Sequence, residues 1–210
     1  MRWHSSIRVS PAPGFIEPCI PIVAKTAPVG SAYVYELKLD GYRLMVRKDD
    51  EHVRIYTRRG ADWTERFPRI VQAARRMKAV SFLLDGEGIV YDGKGMPTFA
   101  LLHSREYDKE VSLCAFDLLE LSGTAVRKQP LVERKELLGD FLSKVKDGIE
   151  FNDHIAGDGK MVFEHACKLG HEGIVAKRKD LPYESGRSRR WVKIKNPNSP
   201  AARRADDGTF

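Results

Sequence analysis

YELKLDGYRL, residues 35 to 44, packs Lys38, Asp40 and Arg43 into six positions of a run that otherwise reads as strand. Tyr35, Leu37, Tyr42 and Leu44 favour a pleated backbone, while Asp40-Gly41 marks a turn in the middle. The neighbouring runs YVYELKL, RLMVRK and VRIYT follow one another, the last after the turn-prone Asp49-Asp50-Glu51. The simplest reading joins them as an antiparallel meander.

Outward from that run, Pro11, Pro13, Pro18, Pro21 and Pro28 exclude long regular elements from the first 30 residues, and residues 1–14 read as an extended lead-in. Residues 68–78 predict a helix with Pro68 in its first turn and Ile70, Val71, Ala74 and Met77 on one face. FLLDGEGIVYD and VSLCAFDLLEL predict strands, the second apolar enough to be buried on both faces. Residues 131–145 predict the clearest helix, with Leu137, Leu138, Phe141, Leu142 and Val145 as its stripe. Asp158 is placed to cap a further helix that stops at Gly170. GIVAKR and RWVKIKN are the last predicted strands, and residues 197–210 read as a mobile tail. Strands and helices mix without βαβ alternation, so the expected class is α+β.

The 210 residues carry a net charge of +7, which suits a polyanionic partner such as nucleic acid. The positive charge is concentrated: residues 54–78 hold eight Lys/Arg against two acids, and 171–210 hold ten against five. Three distant cysteines, Cys19, Cys114 and Cys167, indicate neither a disulfide framework nor a zinc site and fit a reducing cytoplasm. No apolar run approaches the roughly 18 residues of a membrane span, so no membrane partner is expected. Neither Gly-Lys pair, at 93–94 or 159–160, is followed by Ser or Thr, which excludes a Walker-type phosphate loop. Dinucleotide, esterase and zincin motifs are absent as well.

What remains is a series of polar clusters interrupting apolar strands: Lys38-x-Asp40-Gly41-x-Arg43, Asp85-Gly86-Glu87, Glu172-Gly173-Ile174-Val175-Ala176-Lys177 and Trp191-Val192-Lys193-Ile194-Lys195. A carboxylate inside an apolar strand is costly unless it faces a cleft. Taken in order, from about Phe15 to Asn196, these clusters resemble the nucleotidyltransferase motifs of ATP-dependent DNA ligases. The resemblance is closest to the ligase domain of the bacterial end-joining ligase D type, at FIEP, ELKLDGYR, TRRGADWTERFP, LDGEGIVYD, LGHEGIVAKR and SGRSRRWVKIKN.

The resemblance implies a nucleotidyltransferase (ATP-grasp-like) adenylation domain over residues 15–196, with antiparallel sheets flanked by helices and ATP between them. In that family an OB-fold normally follows; here fifteen residues follow Lys195, so the expectation is a module without an OB-fold. By the same resemblance Lys38 attacks the α-phosphate of ATP to form lysyl-AMP, and Lys193 and Lys195 neutralise that phosphate. Glu36 and Phe116 read and stack on adenine, Arg43 and Glu87 hold the ribose, and Lys177 helps to bind the nucleotide phosphate. Glu172, with Glu87, positions Mg2+ or Mn2+, and Arg58 grips the 5'-phosphate of a DNA nick. A lysine of ordinary pKa, about 10.4, is neutral in only about one molecule in 2,500 at pH 7. Lowering it by about 3 units takes roughly 4 kcal/mol of selective destabilisation of the ammonium, of the kind that nearby cations and partial burial can supply.

The implied function is adenylyl transfer to nicked or broken duplex DNA, by a monomer in the bacterial cytoplasm and associated with the nucleoid, with an end-joining partner as one source of the missing domain. Two alternatives stay open: an accessory protein that holds AMP or a nick without turnover, and an RNA ligase or capping-type nucleotidyltransferase.

Overall fold

The computed structural model describes residues 14–202. Its strands are β1 (Cys19–Val23), β2 (Tyr33–Leu37), β3 (Tyr42–Asp49), β4 (His52–Thr57), β5 (Ser81–Ile89), β6 (Ser112–Leu121), β7 (Thr124–Ala125), β8 (Ile149–Phe151), β9 (Gly173–Arg178) and β10 (Gly186–Lys195). Its helices are α1 (Pro68–Arg76), α2 (Phe99–Ser104), α3 (Leu131–Leu142) and α4 (Gly159–Lys168). The strands form two sheets, β1-β10-β9-β2 and β4-β3-β5-β6-β7, with β8 added beside β6. Pairing is antiparallel except for β1 with β10 and β6 with β8. The α+β class and the layered antiparallel architecture expected from the sequence are both present.

The meander is not. β3 and β4 form the expected hairpin, closing at Asp49 opposite His52. β2 instead pairs with β9 in the other sheet, placing Glu36 opposite Val175. Residues 38–41 therefore carry the chain from one sheet to the other. Gly41 makes the crossing possible, because a Cβ there would lie 2.3 Å from the Gly88 carbonyl oxygen.

Each sheet buries its outer face under helices. Leu44, Val46, Ile55, Phe82, Leu84 and Leu113 pack with Ile70 and Ala74 of α1 and Leu138 of α3. On the smaller sheet, Tyr35, Ile174, Ala176, Val192 and Ile194 pack with Val162 and Ala166 of α4. Burial of this kind contributes about 1.5–3 kcal/mol per large aliphatic side chain. Asp158 caps α4 as expected, accepting from the backbone amides of Lys160 at 2.8 Å and Met161 at 3.3 Å. Gly170, at φ +81°, lies two residues beyond the helix.

The stripe expected on α3 is corrected. Leu138 and Leu142 are buried, but Leu137 is 36% exposed, while Arg134 and Lys135 are 0% and 1% exposed. The inward row is Leu131, Arg134, Lys135, Leu138 and Leu142, at helical spacing. Arg134 can be inside because its fork meets the buried Asp117 of β6 through two bonds of 2.7 Å. At the far end, Ser199 is buried and bonded to the Asn196 carbonyl, so folded chain continues past the boundary expected at Asn196. Residues 1–13 of the lead-in and 203–210 of the tail lie outside the described residues.

Candidate active site

The period of two that buries Val192 and Ile194 turns Trp191 and Lys193 of β10 to the inner face of the smaller sheet. Glu36 of β2 and Val175 and Lys177 of β9 share that face. The larger sheet faces them with Arg43 of β3, Glu87 of β5 and Phe116 of β6. The Asp-Gly-Glu-Gly run of β5 follows from the same alternation, since Gly86 and Gly88 fall on the crowded core side. A Cβ on Gly86 would lie 2.7 Å from Leu113 and 2.8 Å from the Cys114 carbonyl. The cleft between the sheets holds a cavity of about 170 Å³ that opens to solvent.

One end of the cleft is a closed electrostatic set. Glu36, 2% exposed, accepts from Lys135 at 2.8 Å, from Lys177 at 2.6 Å and from the Asn152 amide at 3.3 Å. Burial alone would raise the Glu36 carboxyl, but the ammoniums of Lys135 and Lys177 outweigh it and hold the group below its usual range. Lys177 Nζ also lies 4.3 Å from the Phe116 ring centre and 4.0 Å from that of Trp191. Arg43 binds Asp85 with bonds of 2.5 and 2.7 Å and sits 4.4 Å over Phe116. Tyr183 donates to the same carboxylate at 2.6 Å, so Asp85 locks the guanidinium in place.

The other end holds Lys38, whose Nζ donates to Glu172 Oε2 at 2.5 Å. Lys193 is half-buried, and its ammonium is held below the usual lysine range by burial and then by the charges of Lys38, Lys195 and Arg58. Arg58 lines the cleft from the exposed turn after β4. Burial drives the Glu87 carboxyl up to about 7 against the opposing pull of Lys38 and Arg43.

The structure thus gathers Glu36, Lys38, Arg43, Arg58, Glu87, Phe116, Lys177 and Lys193 around one cleft. Glu172 joins through Lys38, whereas Lys195 lies exposed at the end of β10 and contributes only its field. Lys177, expected to help bind the nucleotide phosphate, lines the cleft and donates to Glu36. Lys135, Asp85 and Asn152 were missing from the expected set. Asp85 was visible as the first carboxylate of Asp-Gly-Glu, whereas nothing local in the sequence marked Lys135 as inward.

Among the described residues no group of three or more His, Cys, Asp or Glu side chains forms a metal site. Glu87 and Glu172, both within electrostatic reach of Lys38, suit a hard cation that completes its shell with phosphate oxygens and water.

Two helix-backed sheets with a lysine lining the cleft between them fit a nucleotidyltransferase-type adenylation domain. The family model described as ATP dependent DNA ligase domain matches residues 20–195, and the chain belongs to that family. It is 38% identical over 190 residues to the multifunctional non-homologous end joining protein LigD of Pseudomonas aeruginosa, covering 89% of this chain and 22% of that protein. The LigD protein of Mycobacterium tuberculosis is 36% identical over 170 residues, covering 80% of this chain and 22% of its own length. Among solved structures, mycobacterial DNA ligase D complexed with ATP and MES superposes with a TM-score of 0.76 at 34% identity, covering 85% of this chain and 59% of that one. The chain thus spans about a fifth of the length of these curated relatives. No helix of the described residues is long and apolar enough to cross a membrane.

Proposed function

We propose that this domain carries out the adenylyl-transfer chemistry of an ATP-dependent DNA ligase acting on nicked or broken duplex DNA. The neutral amine of Lys38 attacks the α-phosphorus of ATP; the new P–N bond forms as the bond to pyrophosphate breaks, and the amine proton is lost. Glu172 is within reach to accept that proton. A 5'-phosphate oxygen of the nick then attacks the same phosphorus and releases Lys38. Attack by the 3'-hydroxyl on the activated 5'-phosphate closes the strand and expels AMP.

Glu36 and Phe116 take the base, Arg43 and Glu87 border the ribose, and Lys193 stabilises charge growing on the α-phosphate, with Lys195 strengthening the field. Lys177 acts through Glu36. Arg58, exposed at the cleft mouth, receives the 5'-phosphate. Glu172 and Glu87 would hold Mg2+ or Mn2+, which supplies neutralisation of the phosphate oxygens. The domain works as a monomer in the bacterial cytoplasm, on the nucleoid, alongside end-joining partners.

The observation that carries this reading is Lys38, which lines the same cleft as the buried Glu36 and lies beside the cations around Lys193. Incubation with α-labelled ATP and Mg2+ or Mn2+ is expected to leave an acid-labile label on the protein, and Lys38→Ala abolishes it. A nicked duplex with a 5'-phosphate is sealed by the first protein and not by the second. Label that persists in Lys38→Ala would refute the assignment.

A further inference from the structure

Lys135 reaches the cleft only through another residue. It is 1% exposed on α3, and its ammonium has three acceptors: Glu36 Oε1 at 2.8 Å, the Asn152 carbonyl at 2.7 Å and the Phe116 carbonyl at 3.5 Å. It is absent from the cleft lining, whereas Glu36 and Asn152 belong to it. An ammonium has three protons to donate, so Lys135 is fully spent on holding this corner.

Glu36 is nearly spent as well. A carboxylate has about four acceptor positions. Three are taken, by Lys135 on one oxygen and by Lys177 and the Asn152 amide on the other. One acceptor is left for whatever enters the cleft, and no proton is available to donate. Adenine presents an exocyclic amino donor at its six position, where guanine presents a carbonyl acceptor. An amino group completes the set, while a carbonyl there faces a second acceptor with nothing between them.

We infer that Lys135 is a specificity-positioning residue: by keeping Glu36 an anion that can only accept, it makes the cleft choose ATP over GTP. The inference rests on the proposed nucleotide site and adds the residue that sets its base preference. Burial by itself favours a protonated Glu36, which would donate to a guanine carbonyl, and Lys135 is the strongest force against that. A buried ion pair that merely filled the core would affect stability and leave the choice of base untouched.

The test compares ATP with GTP, both as covalent labels and as equilibrium ligands of the unlabelled protein, in wild type, Lys135→Met, Lys135→Gln and Lys135→Arg. The two neutral variants are expected to lose at least tenfold of the wild-type ATP:GTP preference, and Lys135→Arg to regain most of it. The Gln variant, closer in shape and polarity, carries the test if the Met variant fails to fold. A folded neutral variant whose preference stays within threefold of wild type, or one that weakens ATP and GTP equally, would overturn the inference. Absence of Lys38-dependent label in wild type would count against the catalytic proposal instead. The binding preference would then decide the role of Lys135.

Discussion

The two ends of the cleft solve opposite electrostatic problems. Around Glu36 every charge is buried and partnered: Lys135, Lys177 and Asn152 converge on one carboxylate. Around Lys38 cations gather, with Lys193, Lys195 and Arg58 sharing the neighbourhood and, among the described residues, only Glu172 bonded to Lys38. The first end is finished before a ligand arrives. The second is left with positive charge that a triphosphate or a DNA backbone would neutralise. Base recognition needs a fixed geometry, and phosphate chemistry needs a field that strengthens as charge develops.

The contrast breaks most sharply by truncation. Glu36→Ala leaves Lys135 and Lys177 buried without a counter-charge and is expected to cost about 3–5 kcal/mol of stability, seen as a large fall in Tm. Lys193→Ala, at the open end, should change stability by no more than about 0.5 kcal/mol yet lower the rate of ATP labelling by about 10²-fold. Equal effects of the two variants on Tm would erase the distinction between the ends.

Glu87 sharpens the comparison through pH. Its folded value of about 7 lies above the ordinary 4.5, so its contribution to stability is intact below the ordinary value and lost as pH rises through 7. Glu87→Gln is therefore expected to match wild type near pH 5 and to exceed it near pH 8 by about 1–3 kcal/mol in denaturant unfolding. A variant less stable than wild type at pH 8 would show that Glu87 has a stabilising partner there.

The smallest effect belongs to the cleft mouth. Arg58→Ala should weaken binding to a nicked duplex irrespective of sequence and reduce the salt dependence of log affinity by about one. Fluorescence anisotropy over a salt series measures both, and an unchanged slope would remove Arg58 from the phosphate contacts.

Much of this was legible in the sequence because the site uses residues that violate strand chemistry. Lys38, Glu87 and Glu172 stand out in apolar runs, and the alternation of Trp191, Lys193 and Lys195 assigns them to one face. The partition of β2 and β3 between sheets was hidden, since it depends on Gly41 passing close to Gly88, a contact 47 residues away in the chain. The inward charges of α3 were hidden for a related reason. Arg134 and Lys135 look like a solvated face until Asp117 and Glu36, on other strands, are known to meet them. Local pattern singles out the candidate residues of the site, whereas the residues that hold them are selected by tertiary pairing.

The central claim, that Lys38 is the covalent centre between a finished end and an open one, is tested most directly by mapping the AMP adduct after reaction with ATP and divalent metal. Proteolysis and mass spectrometry should place AMP on the peptide containing Lys38 and on no other. AMP on Lys177, Lys193 or Lys195, or a protein that turns over ATP with Lys38 unmodified, would contradict the account.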